Sequence, residues 1–350
     1  MAFILGLVVG SFLNVVIHRL PRGESIAFPP SHCPSCGARL SPRELVPVVS
    51  YLAQGGRCRH CGARISPRYP LVELLTGSLF ALAAWRVSDP VALVFVWVYL
   101  ALLVALAFID AEHYLLPDPL TYGGLVLGLL AAGLGLTRPL WDALAGAAMA
   151  AGLLVLIGGY GNLVLRRLRD GPPSWPVGFH QVYLAALVGA YLGVWWGIAV
   201  GLGNWLLNWG LRRGLNLPEP VSLLLLPLAV YLSPQGPLAS LGAALAAAGA
   251  VALLGGVYWA FQPEEEEEEE VPVAMGFGDV KLAGMLGAWS GFEAFLVGLF
   301  AAVLAGAVLG VLFRRRKLPF GPYLAAGGVV AFFFGEEIFR QYLMGGFWGW

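Results

Sequence analysis

The sequence has few charged residues: 12% of its 350 residues are Asp, Glu, Lys or Arg, whereas 59% are hydrophobic. A soluble domain is about one-quarter charged, so this composition excludes a water-soluble fold. Apolar runs of about 20 residues, long enough to cross about 30 Å of hydrocarbon as a helix, recur along the chain. The sequence therefore predicts an all-α polytopic membrane protein.

A net charge is also absent, because 21 basic residues balance 21 acidic residues. The basic residues are clustered instead, with eight Arg between residues 19 and 68 and further groups at 166–169, 212–213 and 314–317. By the positive-inside rule these clusters are cytoplasmic. All of them fall on one side if the chain has about twelve transmembrane helices, predicted at 2–17, 70–87, 91–109, 119–136, 141–165, 178–193, 194–211, 220–235, 238–261, 274–291, 292–313 and 320–340.

The chain has four cysteines, and all of them lie in two Cys-x-x-Cys-Gly sequences. Two thiolates from each tight turn can complete a closed tetrahedral zinc site, which leaves no position for water and is therefore structural. The alternative is a pair of disulfides, but a cytoplasmic loop is reducing, which favours zinc. We expect a zinc-ribbon-like domain over residues 18–69, with the metal held by Cys33, Cys36, Cys58 and Cys61.

An internal repeat is visible at a spacing of about 100 residues. Residues 178–193 align with residues 276–291, and an Arg pair and then a Leu-Pro pair follow each copy. The alternative is chance similarity between apolar segments of low complexity. The first copy has His180 and Gln181 where the second has Gly278 and Asp279, so it lacks a carboxylate for chemistry. The predicted organisation is a first transmembrane helix at 1–17, the zinc-binding domain, transmembrane helices with the first acidic residue at 70–140, an inserted degenerate four-helix repeat at 141–236 and a second repeat at 237–350.

Two acidic residues lie at the ends of apolar runs. Asp110 ends one run, and Asp279 begins another inside the sequence Gly276-Phe277-Gly278-Asp279. Carboxylates at membrane depth are costly and usually face a partner or a water-filled cavity. Gly276 and Gly278 permit a tight or extended backbone that a substrate strand can approach. Paired carboxyls cannot both ionise, which leaves one acid and one base that can activate water against a peptide carbonyl. The alternative for Asp279 is a helix-start cap.

Together these residues resemble the bacterial type IV prepilin leader peptidase and N-methyltransferase family. The matching segments are 10–21, both cysteine motifs, 68–74, 109–110, 116–118, 276–281 and 319–323. The resemblance implies an inner-membrane aspartic peptidase that cleaves the short basic leader of prepilins and pseudopilins after a glycine, at the cytoplasmic face. It also implies that the same enzyme methylates the new N-terminal amine with S-adenosylmethionine. The implied catalytic residues are Asp110 and Asp279.

Other polar residues have two interpretations each. Asp118 matches a family position and is expected to form a turn or to support the site. Lys281 either tunes the carboxylates or contacts substrate, or it extends to the membrane interface. Glu73 is either a buried hydrogen-bond partner or part of the site.

The binding site for the methyl donor is harder to locate from sequence. The chain has no strand, Gly-rich turn and helix of the kind that binds nucleotides in soluble folds. Such a site must therefore come from the cytoplasmic loop and the adjoining helix ends. Candidates are Asn14, His18, Arg19, Gly55 and Gly56, and the alternative is that their polar groups pack the membrane boundary.

The expected partners are prepilin and pseudopilin substrates and the lipid bilayer, with no nucleic acid. Three other functions remain open at this point. One is a Gly-x-Gly-Asp peptidase without methyl transfer, such as a preflagellin peptidase; the second is a transporter; the third is a non-catalytic membrane scaffold with a zinc ribbon.

Overall fold

A computed structural model of the chain describes residues 1–165, 177–262, 275–313 and 318–344, so the basic groups at 166–169 and 314–317 lie outside it. In the described residues the regular structure is helical, apart from two isolated β-bridges in the cysteine loop. Six helices are long and apolar enough to cross a membrane: Ala2–Arg22, Pro90–His113, Leu140–Val164, Pro237–Ala260, Phe277–Leu312 and Gly321–Gln341. The predicted all-helical, multi-pass class is confirmed, whereas the count of twelve spans stays a prediction.

The helices follow the predicted spans within a few residues. They are α1 Ala2–Arg19, α2 Val49–Ala53, α3 Arg68–Arg86, α4 Pro90–His113, α5 Asp118–Gly133, α6 Leu140–Val164, α7 Phe179–Leu192, α8 Val194–Leu211, α9 Glu219–Leu232, α10 Pro237–Ala260, α11 Phe277–Phe313 and α12 Gly321–Val330. After α12 the chain continues to Met344 in short π-helical and α-helical turns. The short α2 lies in the cysteine loop and was not predicted.

Two glycines interrupt the helical path in the same way. Gly291 has φ 75° and ψ 167° inside α11, where the sequence predicted the boundary between two spans. Gly193, with φ 99° and ψ 164°, separates α7 from α8. Positive φ values of this kind suit glycine, because it has no Cβ. Both interruptions fall at the end of the segments that align in the sequence.

The chain divides into two compact units, and the first comprises Met1–Thr137 and Phe300–Val329. Its helices α1 and α3 approach closely because α1 presents glycines to α3: a Cβ built at Gly6 would lie 2.7 Å from the Cα of Gly77, and one at Gly10 would lie 2.7 Å from the Cα of Glu73. Around this contact is an apolar core formed by Leu13, Ile17, Val72, Phe80, Ala101, Val104, Ala105 and Ile109.

The second unit comprises Arg138–Leu299 and Val330–Trp350. Glycines again allow its helices to touch, since a Cβ at Gly152 of α6 would meet the carbonyl oxygen of Leu245 in α10, and one at Gly249 would meet that of Ala148. Any larger side chain at these two glycines would push the helices apart, because protein interiors are close-packed.

A largely buried arginine occupies the break in α11. Arg138 donates from Nε to the carbonyl oxygen of Trp289 at 3.2 Å and from Nη2 to that of Ser290 at 2.6 Å. These carbonyls lie at the end of the helical segment that begins beside Asp279, directly before Gly291. The positive side chain therefore caps the C-terminal end of this segment, where the helix dipole favours a cation.

Candidate metal site and candidate active-site residues

The two Cys-x-x-Cys-Gly sequences fold into matching turns. In each turn the N–H of the first cysteine donates to the carbonyl oxygen five residues later, and the glycine N–H donates back to that cysteine's carbonyl oxygen, all at 2.9 Å. Gly37 and Gly62 have φ values of 70° and 71°. Because L side chains rarely adopt this conformation, the glycine that follows each cysteine pair is required by the turn.

The four thiols of Cys33, Cys36, Cys58 and Cys61 come together, with all sulfur atoms within 4.8 Å of one another. Cys33 Sγ and Cys61 Sγ are 3.9 Å apart, much longer than a disulfide bond of about 2.05 Å. A tetrahedral zinc ion with bonds of about 2.3 Å sets its sulfur ligands about 3.8 Å apart. The cluster therefore fits one metal ion, and its thiols are free.

Electrostatics within the cluster favour one thiolate and oppose a second one. The pKa of Cys33 falls to about 6, because the backbone N–H groups of Ser35 and Cys36 donate to its sulfur. The pKa of Cys61 rises to about 11: the Ala63 N–H lowers it, but desolvation and the interactions with the three neighbouring sulfurs outweigh that effect. A bound cation favours the thiolate form instead, since metal ligation deprotonates thiols outright.

Asp110 lies in the last turns of α4 and is 6% exposed. Its Oδ2 accepts the backbone N–H of Gly321 at 2.9 Å. A Cβ built at Gly321 would lie 2.6 Å from that Oδ2 and 2.8 Å from Cγ, so the contact requires glycine. Gly321 begins α12, and the positive end of a helix dipole favours a carboxylate beside it. The sequence assigned no role to Gly321, although it lies in one of the family-like segments.

Asp279 is the third residue of α11, and it is half-buried. Its N–H donates to the carbonyl oxygen of Gly276 at 3.2 Å, and a Cβ at Gly276 would lie 3.6 Å from Asp279 Oδ2. The Asp279 carboxylate therefore lies close to Gly276 at the start of the helix. A residue that only caps the helix would have the same position. Gly278 lies inside α11 and is helical, so it does not adopt the extended backbone that glycine would permit there. Lys281 Nζ lies 5.6 Å from the centroid of the Phe277 ring.

Asp118 is the first residue of α5, directly after Pro117. Pro117 has φ −60° and ψ 132°, so the chain turns there from an extended to a helical path. An acidic side chain in a first helical turn is stabilised by the helix dipole. The chain therefore turns directly before Asp118, and the turn-forming or supporting role of this residue stays a prediction.

Glu73 is buried and ties the cysteine loop to the helices. Its Oε2 accepts the N–H of Val48 at 2.7 Å, and it also forms a hydrogen bond with the side chain of Ser11 in α1. Val48 has φ 62° and ψ −51°, and the Val49 N–H donates to the carbonyl oxygen of Pro47 at 2.6 Å. This is a γ-turn, which is strained for a β-branched residue. Glu73 therefore has the contacts of a buried hydrogen-bond partner, the first of its two interpretations.

Asn14 is one of the residues predicted to bind the methyl donor, and it is 3% exposed in α1. Its Nδ2 donates to the carbonyl oxygens of Gly10 at 3.2 Å and Tyr69 at 3.1 Å, while its buried Oδ1 has no hydrogen-bond partner. His18 Nδ1 lies 2.9 Å from Arg22 Nη1. Asn14 thus keeps a free acceptor, whereas the ring of His18 already has a cationic neighbour.

The other residues predicted to bind the methyl donor, Arg19, Gly55 and Gly56, stabilise the folded cysteine loop. Arg19 is buried and donates to the carbonyl oxygens of Ser25 at 3.0 Å and Pro29 at 2.7 Å. Gly55 and Gly56 have φ values of 59° and 67° in the turn before the second cysteine motif. These contacts agree with structural roles, and they leave less capacity for a ligand than the contacts of Asn14 do.

The fold and these sites define a multi-pass membrane protein with a four-thiol loop and with acidic residues at the ends of two apolar helices. The chain matches the Type IV leader peptidase family at residues 97–210 and 213–311, and the Bacterial Peptidase A24 N-terminal domain at residues 4–87. It therefore belongs to the Type IV leader peptidase family, and the family predicted from the motifs is confirmed.

Several relatives share the name prepilin leader peptidase/N-methyltransferase. The protein from Pseudomonas aeruginosa is 30% identical over 97% of this chain and 91% of its own length. The one from Stutzerimonas stutzeri is 29% identical, covering 98% and 92%. The one from Myxococcus xanthus is 45% identical over 54% of each chain. No solved structure matches the chain.

Proposed function

We propose that this protein is a bifunctional prepilin leader peptidase and N-methyltransferase of the bacterial inner membrane. Its substrates are prepilins and pseudopilins, whose basic leader is removed after a glycine at the cytoplasmic face. Family membership with two relatives aligned over nearly the whole chain carries this proposal, because their names contain both activities. The apolar helices support the membrane location, and the Arg-rich loop supports its cytoplasmic side.

We propose Asp110 and Asp279 as the catalytic pair. One carboxylate, in its ionised form, takes a proton from water as the water oxygen attacks the scissile carbonyl carbon. The other, in its protonated form, donates its proton to the carbonyl oxygen. The first carboxyl then gives the proton that it took from water to the leaving nitrogen as the carbon–nitrogen bond breaks, and the former carbonyl oxygen returns its proton to the second carboxylate as the C=O bond re-forms. The hydrogen bond from the Gly321 N–H supports the assignment of Asp110, since it holds that carboxylate in a defined direction.

The proposed cofactors have separate roles. Zinc held by Cys33, Cys36, Cys58 and Cys61 would supply folding free energy to residues 18–69, which form a loop domain with few buried apolar residues. S-adenosylmethionine would supply the methyl group for the new N-terminal amine. The unpartnered Oδ1 of Asn14 is a hydrogen-bond acceptor that the donor or the amine can use.

We propose the domain division that the sequence predicts. It has a first transmembrane helix at 1–17, a zinc-binding domain at 18–69, further transmembrane helices at 70–140, and two repeats at 141–236 and 237–350. The similar backbone conformations at Gly193 and Gly291 support a repeat that includes residues 141–236. The chain also matches the family twice, at 97–210 and 213–311, which supports a duplication, although these ranges do not coincide with the limits of the two proposed repeat units.

Cleavage and methylation of one peptide test this function. Protein in lipid nanodiscs is incubated with a prepilin peptide and S-adenosylmethionine, and mass spectrometry measures leader loss and methyl gain. Asp110→Asn and Asp279→Asn should each abolish cleavage while zinc content and thermal unfolding are unchanged. Asp142→Asn, at an exposed acidic residue, is the matched control and should cleave normally. Near-normal cleavage by Asp110→Asn or Asp279→Asn would rule out the proposed aspartic mechanism. Cleavage without methylation would mean that the protein is a peptidase without methyltransferase activity.

A further inference from the structure

The cysteine loop exposes apolar side chains at its short helix α2. Val49 is 61% exposed and Leu52 is 70% exposed in this helix. Val46 is also exposed, and it belongs to the same helical turn, because its carbonyl oxygen accepts the N–H of Ser50 at 3.0 Å. Residues three apart in a helical turn are neighbours on its surface. Val46, Val49 and Leu52 therefore form one exposed apolar surface, the α2 face.

The other side of α2 packs against the cysteine loop itself. Tyr51 is half-buried, and a Cβ built at Gly56 would lie 3.1 Å from its ring. The Gly56 N–H donates to the carbonyl oxygen of Tyr51 at 2.9 Å, and the Gly56 carbonyl oxygen accepts the N–H of Ile65 at 2.8 Å. Because Tyr51 fixes which side of α2 faces the loop, the α2 face points away from the loop.

A hydrogen bond sets the level of α2 along the first transmembrane helix. The N–H of Val48, directly before α2, donates to Oε2 of Glu73 at 2.7 Å. Glu73 also forms a hydrogen bond with the side chain of Ser11 in α1. A Cβ built at Gly10 would lie 2.7 Å from the Cα of Glu73, so the two helices touch at this level. The start of α2 is therefore held beside residues 10 and 11 of α1.

This level of α1 lies at membrane depth. The helix that is long and apolar enough to cross a membrane runs over Ala2–Arg22, and Ser11 is in its middle. Ser11 lies about 12 Å before Arg19 along the helix, at a rise of about 1.5 Å per residue. Arg19 is the first arginine of the chain, and such basic residues mark the end of the apolar span. The α2 face therefore lies at the depth of lipid and not in the surrounding water.

The charge of the loop agrees with a lipid neighbour. Between residues 20 and 67 the chain has six arginines, all of them exposed, and its acidic residues there are Glu24 and Glu44. Glu44 already accepts hydrogen bonds from the N–H and the hydroxyl of Ser41. Arg43 and Arg57 flank α2 in the sequence. An apolar helical face with arginines on either side is typical of segments that lie in the interface of an anionic membrane.

We propose that the α2 face inserts into the cytoplasmic leaflet of the membrane and anchors the zinc-binding domain there. Acyl chains surround the α2 face, and Arg43 and Arg57 extend to the phosphate groups of anionic phospholipids. Lipid is the occupant because the contact between Val48 and Glu73 holds α2 at the level of a transmembrane helix. The proposal uses the cytoplasmic side of the proposed function, but it does not depend on cleavage or methylation.

Photo-crosslinking to lipid tests the insertion. The full chain, with p-benzoylphenylalanine at one position, is irradiated in nanodiscs that contain phosphatidylethanolamine and phosphatidylglycerol, and mass spectrometry measures the fraction with a lipid adduct. The label at Leu52 or at Val49 should give a yield within about twofold of the label at Val8, an exposed residue of α1. Ser35, exposed in the turn of the first cysteine motif, is the matched control and should give about fivefold less. The zinc content of each sample shows that the loop is folded.

Counting retained lipids tests the arginines. Native mass spectrometry of the Arg43→Gln, Arg57→Gln double variant should find about one or two fewer phosphatidylglycerol molecules than on the unmodified chain. The Arg39→Gln, Arg59→Gln double variant changes two exposed arginines at the cysteine motifs, and as the matched control it should keep the count. Lipid adducts at Leu52 as rare as at the control position, or a crosslink there between two copies of the chain, would overturn the insertion. An equal loss of lipid in both double variants would overturn the assignment of the phosphate contacts.

Discussion

Gly321→Ala tests whether the contact between Gly321 and Asp110 matters for cleavage. The backbone at Gly321 has no positive φ, so alanine is conformationally allowed, and its effect must come from contact alone. The new Cβ would lie 2.6 Å from Asp110 Oδ2 and 2.8 Å from Cγ. Non-bonded atoms prefer about 3.5 Å, so the carboxylate must shift by about 0.8 Å. That shift breaks its hydrogen bond with the Gly321 N–H.

The size of the effect follows from the hydrogen bond. A hydrogen bond to a charged group contributes about 1.5–3 kcal/mol. At about 1.4 kcal/mol for each factor of ten, cleavage should fall about tenfold to a hundredfold. The assay is kcat/KM for leader removal from a prepilin peptide, with zinc content and thermal unfolding measured on the same sample.

Gly123→Ala is the matched control for this substitution. Gly123 lies inside α5, and a Cβ there would meet no atom within 4 Å. Alanine is also the better helix former, so the control should cleave normally and be at least as stable. If Gly321→Ala cleaves within about twofold of the unmodified protein, the Gly321 contact does not position Asp110 for the reaction, and the reasoning fails.

Three further predictions concern the loop and the second unit. Metal analysis should find about one zinc per chain, and Cys58→Ser should lose most of it, because three thiolates hold zinc less tightly than four. Val48→Gly should stabilise the loop by about 1 kcal/mol in thermal unfolding, since it relieves the strained γ-turn, whereas Glu73→Leu should destabilise it. Arg138→Leu should lower stability by about 2 kcal/mol, because two carbonyl groups lose their donor, and an unchanged unfolding temperature would contradict this role.

Much of the fold could be predicted from the sequence, because the signals are local. Apolar runs of a fixed length predict helices, and α4 and α10 start and end close to the predicted limits. The cysteine pairs are also local, since each turn is closed by hydrogen bonds within five residues. That the two cysteine pairs form one cluster could also be predicted, because four free thiols in one short loop suit a single tetrahedral metal.

The sequence also located Asp110 and Asp279, because a carboxylate at the end of an apolar run stands out from its surroundings. Their catalytic pairing stays a prediction. The partner of Asp110 within its own unit could not be predicted: Gly321 lies 211 residues away along the chain, and a glycine carries no signal for the side chain that it faces. Arg138 is a similar case, since its acceptors at Trp289 and Ser290 are about 150 residues away, and an isolated arginine before a helix looks like a surface charge.

The structure showed that Asn208 corresponds to Asp110. Each lies four residues before the left-handed residue that ends its helix, Arg212 or Tyr114, and each accepts a backbone N–H at 2.9 Å. The connection after Arg212 is longer than the one after Tyr114, so the two segments do not align without a gap, and the repeat found in the sequence did not include residues 70–140. The correspondence appears in the backbone, where both residues adopt the left-handed conformation that ends a helix. That conformation is costly for tyrosine and arginine and is imposed by the surrounding packing, so no local sequence preference reports it.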